Sequence, residues 1–223
     1  MIMNSILLIG NSGGIGQALQ GALEARGASV TGLSRRDTGL DLSDEASIEG
    51  QLSALSGPFD AIVVASGALE INGAHPEKAL SQLTQSAFLD QFIVNAAGPA
   101  LILKHAPRLL PKDRPSQFAA LSARVGSIGD NKIGGWYSYR TAKAALNQII
   151  HTGAIELART HKQAVCVALH PGTVQTPFTA KYLGRHPSVP ASQAALNLLS
   201  VLEGLGPDKT GQFFDWEGKP VPW

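Results

Sequence analysis

Short runs that are apolar on every side alternate along this chain with longer segments whose apolar residues recur at helical spacing. "SILLIG" (5–10) is the first such run. It is followed by "GGIGQALQGALEARG" (13–27), where Ile15, Leu19, Ala22 and Leu23 share one stripe and Gly27 stands where a helix would end. "SVTGLS" (29–34) reads as the next strand. A polar connection through Asp41 then leads to a short helix with a weak start signal, since Ser43 is followed three residues later by Ala46 rather than by Glu. "FDAIVVASG" (59–67) is apolar on both faces, as a central parallel strand should be. Helical periodicity covers about Leu80 to Leu109, with a break expected near Ala87. "SQFAALSA" (116–123) reads as a strand, Trp136 to Arg159 as a long helix, and "AVCVALHPG" (164–172) as a strand stopped by proline. Residues 191–203 predict a further helix and "GQFFDW" (211–216) a last edge strand.

Strand alternating with helix throughout predicts an α/β fold, a doubly wound parallel sheet of about seven strands with helices on both faces. With 223 residues, and neither a repeat nor a linker, residues 1–223 read as one domain. The composition, 44% hydrophobic and 16% charged with net charge +1, gives no electrostatic case for nucleic acid or an anionic membrane. No stretch reads as a membrane span, and "MIMNSILLIG" has no basic segment before its apolar run, so it reads as a strand and not a signal peptide. A cytoplasmic location is the expectation. Cys166 is the sole cysteine; it excludes an intrachain disulfide and, within "AVCVALH", reads as a buried inert thiol.

The chemistry begins at "IGNSGGIGQAL", which sets Gly10, Gly14 and Gly16 between strand and helix. Glycines there permit a tight turn, close approach of backbone to a pyrophosphate and tight helix packing, while the helix N-terminus offers free N–H groups. In "WYSYRTAKAALN" (136–147), Tyr139 and Lys143 are i and i+4, one turn apart on one helix face. Tyr137 points to roughly the opposite side. An i,i+4 pair with no chemical task has the same spacing, so the pair acquires meaning only from the rest of the chain.

The glycine spacing and the helix it opens resemble the short-chain dehydrogenase/reductase family, and the likeness runs over essentially the whole chain. Its carriers are Gly10/Gly14/Gly16, "ASG" at 65–67, Asn95 in "IVNAAGP", Ser122 in "LSARVGSIGDN", Tyr139-x-x-x-Lys143 and "HPGTVQT" at 170–176. The serine-to-tyrosine segment and the ending "GQFFDWEGKPVPW" look closest to the C-factor-like and Sniffer-like carbonyl reductase branch. Two departures stand out. Ala65 and Ser66 precede Gly67 where the family has an Asn. Ala123 occupies the usual place of the catalytic serine, with Ser122 one residue earlier, and a one-residue slip in a strand reverses the side chain's face. Either a bulge re-aims Ser122 or Ser127 takes the role; Ser122 is favoured.

The resemblance implies a Rossmann-type fold and reversible reduction of a small-molecule carbonyl, or oxidation of the matching alcohol, by hydride transfer. Tyr139 would act as general acid/base, brought toward neutral pH by the Lys143 ammonium. Ser122 would hold the substrate oxygen, and Asn95 would free a helix carbonyl for a water chain to Lys143. Implied cofactor contacts are Gly10, Asn11, Ser12, Gly14, Ile15 and Gly16 at the phosphates. Asp41, Leu42, Ala65, Ser66 and Gly67 would meet the adenosine side, and Tyr139, Lys143, Pro171, Gly172, Val174 and Thr176 the nicotinamide side. Ser34 and Arg35 end the second strand where NAD enzymes carry an acid, so NADP is expected over NAD. His170 reads as structural, and no metal is implied. A substrate flap is expected near 173–190, with Phe178 and Tyr182 as apolar contacts and Lys181 and Arg185 nearby. The long helices imply a homodimer or homotetramer. A nucleotide-binding signalling protein of the C-factor type with weak or no turnover is the alternative. An enoyl reductase fits less well, since its longer Tyr-to-Lys interval matches neither Tyr137 nor Tyr139.

Overall fold

The computed structural model describes residues 3–184 and 187–223. In chain order the first half comprises β1 (Ser5–Ile9), α1 (Gly14–Glu24), β2 (Ser29–Leu33), α2 (Arg35–Thr38), α3 (Glu45–Ser53), β3 (Ala61–Val64), α4 (Gln85–Phe92), α5 (Gly98–Lys104) and α6 (Ala106–Leu109). The second half comprises β4 (Ser116–Leu121), α7 (Tyr137–Thr160), β5 (Ala164–His170), β6 (Val174–Gln175), β7 (Val189–Pro190), α8 (Ala191–Gly204) and β8 (Phe213–Asp215).

Six strands form one sheet in the order β2-β1-β3-β4-β5-β8, every pair parallel. β3, β4 and the first six residues of β5 are buried throughout, which is why their sequences run apolar or small instead of alternating. One face of the sheet (Ile6, Leu8, Val63, Ala119, Val165, Val167) packs on Leu19 and Leu23 of α1 and Leu198, Leu199 and Leu202 of α8. The other face (Leu7, Ile62, Phe118, Cys166) packs on Ile102 of α5 and Leu146 and Ile150 of α7. The chain leaves β1 toward β2 and then crosses back to β3, so the strand order reverses at β1. That reversal opens a crevice beyond the carboxyl ends of β1 and β3.

The doubly wound α/β expectation agrees with this sheet, with local differences. The main sheet has six strands against about seven expected, and the two further short strands, β6 and β7, pair with each other in a separate sheet. α3 is capped by Asp44, which accepts from the Ala46 N–H, so the start marker was one residue past Ser43. The break within 80–109 falls at Leu83 and Thr84, both extended, three residues before Ala87, and the helix that starts at Gln85 carries a π-turn over Ile93–Ala97. Finally, Gln85–Lys104 is a helical run of 20 residues with hydropathy 1.3, long and apolar enough by length and composition to cross a membrane. Here it carries the π-turn and packs against α3 and α7.

Cys166 is fully buried on β5, with its sulfur 3.8 Å from the Ile150 carbonyl, and burial pushes its thiol up to about 12. Iodoacetamide at pH 8 should therefore leave the native protein unlabelled and modify one cysteine once the chain is unfolded in guanidinium. Rapid labelling of the native protein, read by intact mass, would contradict this burial.

Candidate active site

A cavity of about 1050 Å³ lies along the carboxyl ends of β1, β3, β4 and β5, from the first turn of α1 to the flap. At the α1 end Gly10 adopts φ +87, and a Cβ there would stand 2.8 Å from the Ser66 nitrogen. A Cβ on Gly14 would stand 2.6 Å from Thr176 Cγ2, and one on Gly16 2.1 Å from the Gly10 carbonyl oxygen. The third glycine thus lets α1 close on its own entry turn, not on the sheet. α1 begins without a side-chain cap, which leaves its first N–H groups facing the cavity mouth.

Gly10, Ser12, Gly14 and Ile15 line the cavity; Asn11 and Gly16 do not. Asn11 instead donates to Gln20 Oε1 at 3.1 Å and lies over Gly32, where a Cβ would meet its Nδ2 at 2.4 Å. Gly13 does line the cavity and was passed over, although it sits in the same glycine run.

The end of β2 supplies a free cation. Ser34 is buried and shares its hydroxyl with Asp37, accepting from the Asp37 N–H and donating to its carboxylate. Arg36 pairs with Asp37 at 2.7 Å. Arg35 lines the cavity with no hydrogen bond or ion pair among the described residues. Asp41 and Leu42 line the same end. The Asp41 carboxylate accepts from the Ser43 hydroxyl and N–H, which hold it below the usual carboxylate range. Ala65, Ser66 and Gly67 follow β3 along the floor, and the Ser66 hydroxyl is buried without a partner.

Tyr139 and Lys143 share one face of α7 against the cavity, with Lys143 Nζ 5.8 Å from the centroid of the Tyr139 ring. Tyr137 does not reach the lining. The expected electrostatics are not found. Burial raises the Tyr139 phenol above the ordinary tyrosine range and lowers the Lys143 ammonium to about 7. Both residues are almost fully buried, and loss of solvation is what shifts each of them. Lys143 donates instead to the Leu121 carbonyl at 2.9 Å.

Asn95 sits in the π-turn, fully buried behind the lining, and is no surface residue. Its Oδ1 accepts from the Ala68 N–H at 3.0 Å, and its Nδ2 donates to the Ala68 carbonyl and to Gln91 Oε1. It thereby fixes the strand-end loop through Gly67. Pro99 has no N–H to offer the Asn95 carbonyl four residues back, which deprives that carbonyl of its ordinary helical donor.

The serine position departs furthest from expectation. Ser122 lies at the cavity edge, but its hydroxyl donates to Asn147 Oδ1 at 2.6 Å, inside the α7 interface. Its one proton is committed away from the cavity. Ser127 does not line the cavity; its hydroxyl accepts from the Asp130 N–H. Ala123 does line it and offers only a methyl group.

Pro171, Gly172, Val174 and Thr176 line the cavity beyond β5, and the β6–β7 pairing of Val174 with Val189 closes the base of the flap. Phe178 lies 6.4 Å from Tyr139, and Tyr182 5.0 Å from Trp136, ring centroid to centroid. Lys181 is held by Glu70 at 2.7 Å; Arg185 lies outside the described residues. Trp136, not anticipated, lines the cavity between the flap residue Tyr182 and Tyr139, 6.2 Å from the latter. Gly134, Gly135 and Trp136 take three successive positive φ values, a turn that only the Gly-Gly pair could have foretold. Arg140 pins it by donating to the Gly134, Gly135 and Val125 carbonyls.

Residues 9–201 match the model of a family described as enoyl-(acyl carrier protein) reductase, one of the short-chain dehydrogenases/reductases. The chain belongs to the short-chain dehydrogenase/reductase family. It is 35% identical over 148 residues to C-signal of Myxococcus xanthus, covering 65% of this chain and 84% of that one. It is 28% identical over 237 residues to the 1-hydroxy-2-glutathionyl-2-methyl-3-butene dehydrogenase of Rhodococcus sp. strain AD45, covering 99% and 100% of the two chains. A solved structure from Burkholderia multivorans, described as a short-chain dehydrogenase/reductase with bound NADP, superposes with TM-score 0.83 at 26% identity, covering 99% and 100%. The Tyr139/Lys143 pair lies on the wall of the crevice at the strand-order reversal.

Proposed function

We propose that this short-chain dehydrogenase/reductase uses NADP(H) to reduce an apolar aldehyde or ketone, or to oxidise the matching alcohol, with Tyr139 exchanging the proton. The observation that carries the reading is the placement of Tyr139 and Lys143 together on the wall of the cavity that begins at the glycine turn. The residues fit the dinucleotide. The glycine turn leaves room where a Cβ would collide, the α1 N–H groups are uncapped, the Ser66 hydroxyl is buried and unpartnered, and Arg35 is a free cation. When bound, NADPH supplies the hydride.

Arg35 would hold the 2′-phosphate, since Asp37 is paired with Arg36 and turned to Ser34, and Asp41, whose carboxylate feels the Arg35 charge, is bonded to Ser43. Thr176 and Val174 would meet the nicotinamide end, and Lys143 the ribose hydroxyls. Trp136, Phe178 and Tyr182 make an aromatic wall suited to an apolar carbonyl compound and keep water from the reacting carbon. Because burial keeps the Tyr139 phenol protonated at neutral pH, it starts as a proton donor, the form that carbonyl reduction needs. The same reading pairs subunits through α4 and α7, supported by the exposed apolar residues Leu89, Phe92 and Ile155.

A signalling or sensing role with little turnover is the second reading. It is favoured by the methyl group at Ala123 and by the engagement of Ser122 with Asn147. Loss of NADPH absorbance with a panel of aldehydes and diketones, absent in Tyr139→Phe, supports the enzyme; NADPH binding with no turnover on the panel supports the sensor. The cofactor choice is tested separately by Arg35→Ala. Removal of a charge-assisted phosphate contact should weaken NADPH binding by about 10- to 100-fold and leave NADH binding unchanged, as read by fluorescence titration. Equal losses for the two cofactors would remove Arg35 from this role.

A further inference from the structure

A carbonyl oxygen that takes a proton from Tyr139 needs a second hydrogen-bond donor to hold it in line and to stabilise its developing charge. In this chain the serine that resemblance would supply is missing from its place. Ala123 lines the cavity with a methyl group, Ser122 spends its proton on Asn147, and Ser127 does not line the cavity. One polar side chain at the ends of β4 and β5 remains without an assigned task. His170 closes β5, one residue beyond the last paired positions, Leu121 and Leu169, and so lies beside Ser122. His170 lines the cavity, and its Nδ1 is buried with no hydrogen-bond partner among the described residues.

We propose that His170 takes over the missing serine's role, donating an imidazole N–H to the oxygen of the carbonyl substrate. This rests on the oxidoreductase reading above. The surroundings keep the ring in the form that can do so without becoming an acid. Burial lowers the imidazole to about 4, and the Arg124 guanidinium lowers it further, against the weaker pull of Asp215 and Asp130. Arg124 is itself held by Asp215 at 2.9 Å and Asp130 at 3.2 Å, so its charge is fixed in place at the cavity wall. A neutral imidazole polarises a carbonyl without competing to transfer a proton. In the reduction, the carbonyl carbon gains the hydride and is reduced as the C=O π pair moves onto oxygen. That oxygen takes the Tyr139 proton, the nicotinamide that gave the hydride is oxidised, and His170 keeps its own proton throughout.

The test combines kinetics with a readout that needs no turnover. Loss of one oxyanion donor costs about 10²–10³ in kcat, so His170→Ala should lose that much while NADPH binding, read by fluorescence, stays within about threefold of the wild type. Adding Ala123→Ser to His170→Ala should recover about tenfold or more of the lost kcat, because the hydroxyl returns to the family's usual place; a histidine that merely packs would not be rescued this way. In the wild-type protein with NADP+, which cannot reduce it, an added ketone should shift the His170 imidazole 15N–H resonance. His170→Ala with wild-type kcat beside an inactive Tyr139→Phe overturns the role of His170 and leaves the oxidoreductase reading standing. A wild type without turnover on any carbonyl overturns both. If His170→Ala does not fold, an unmoved His170 resonance in the wild type with ketone and NADP+ overturns the proposal by itself.

Discussion

Tyr139→Phe is expected to lower carbonyl turnover by about 10²–10⁴-fold, the usual contribution of a positioned proton donor. NADPH affinity should scarcely change, since the phenyl ring keeps its contacts with Trp136 and Phe178. Stability should hardly change either, because the phenol hydroxyl has no hydrogen-bond partner among the described residues. Burial raises the phenol above its ordinary range, so the donor does not titrate near neutrality. The reductive rate should accordingly be flat across neutral pH as far as Tyr139 is concerned. The reverse reaction, which needs the phenolate, should rise toward alkaline pH. Initial rates with NADPH and a diketone, and with NADP+ and the matching alcohol, measure both limbs. A phenylalanine variant that kept full turnover would remove the phenol from the mechanism.

Lys143→Met is expected to make the cofactor-free protein more stable at pH 7 while abolishing its turnover. The ammonium is only 3% exposed, and burial lowers it from 10.5 to about 7. At about 1.4 kcal/mol per unit, that shift corresponds to a desolvation cost of roughly 5 kcal/mol. Methionine removes this cost but leaves the Leu121 carbonyl without its donor, a loss of about 1–3 kcal/mol. A net gain of about 2 kcal/mol should raise the melting temperature by roughly 5 °C in a chain of this size. The gain depends on pH in a definite sense. Between pH 7 and 10.5 the unfolded chain carries a proton on this lysine that the folded chain lacks, so wild-type stability climbs with pH across that window. The advantage of the methionine variant is therefore full below pH 7, gone by about pH 8–9 and reversed by about pH 10.5, where only the lost hydrogen bond to Leu121 remains. Thermal unfolding of both proteins at the two ends of the window checks this. A variant less stable than the wild type at pH 7 would mean that the lysine is charged and well solvated in the folded chain. On the proposed function, this instability is the counterpart of a lysine kept in the cavity wall for the cofactor at the expense of the empty fold.

The departures from expectation share a cause. The helix break expected near Ala87 falls at the extended residues Leu83 and Thr84, because the Thr84 hydroxyl caps the following helix. Asn11 was grouped with the phosphate contacts by its position in the glycine turn, yet its side chain found a partner in Gln20. Lys143 was expected to acidify Tyr139 because i,i+4 spacing gives proximity; spacing says nothing of how deeply the pair is buried, and here burial prevails.

From the order of residues alone follow the alternation of strand and helix, the glycine turn at 10–16 and the shared face of Tyr139 and Lys143, all of which rest on interactions within a few residues. Tertiary structure alone decided where the Ser122 proton goes, that His170 stands beside it unpartnered, and that Trp136 walls the cavity. Each of these depends on which distant backbone or side chain arrives next to the group, as Asn147 reaches Ser122 across 25 residues. Hydrogen bonding and desolvation act between neighbours in space, and local pattern does not encode those neighbours.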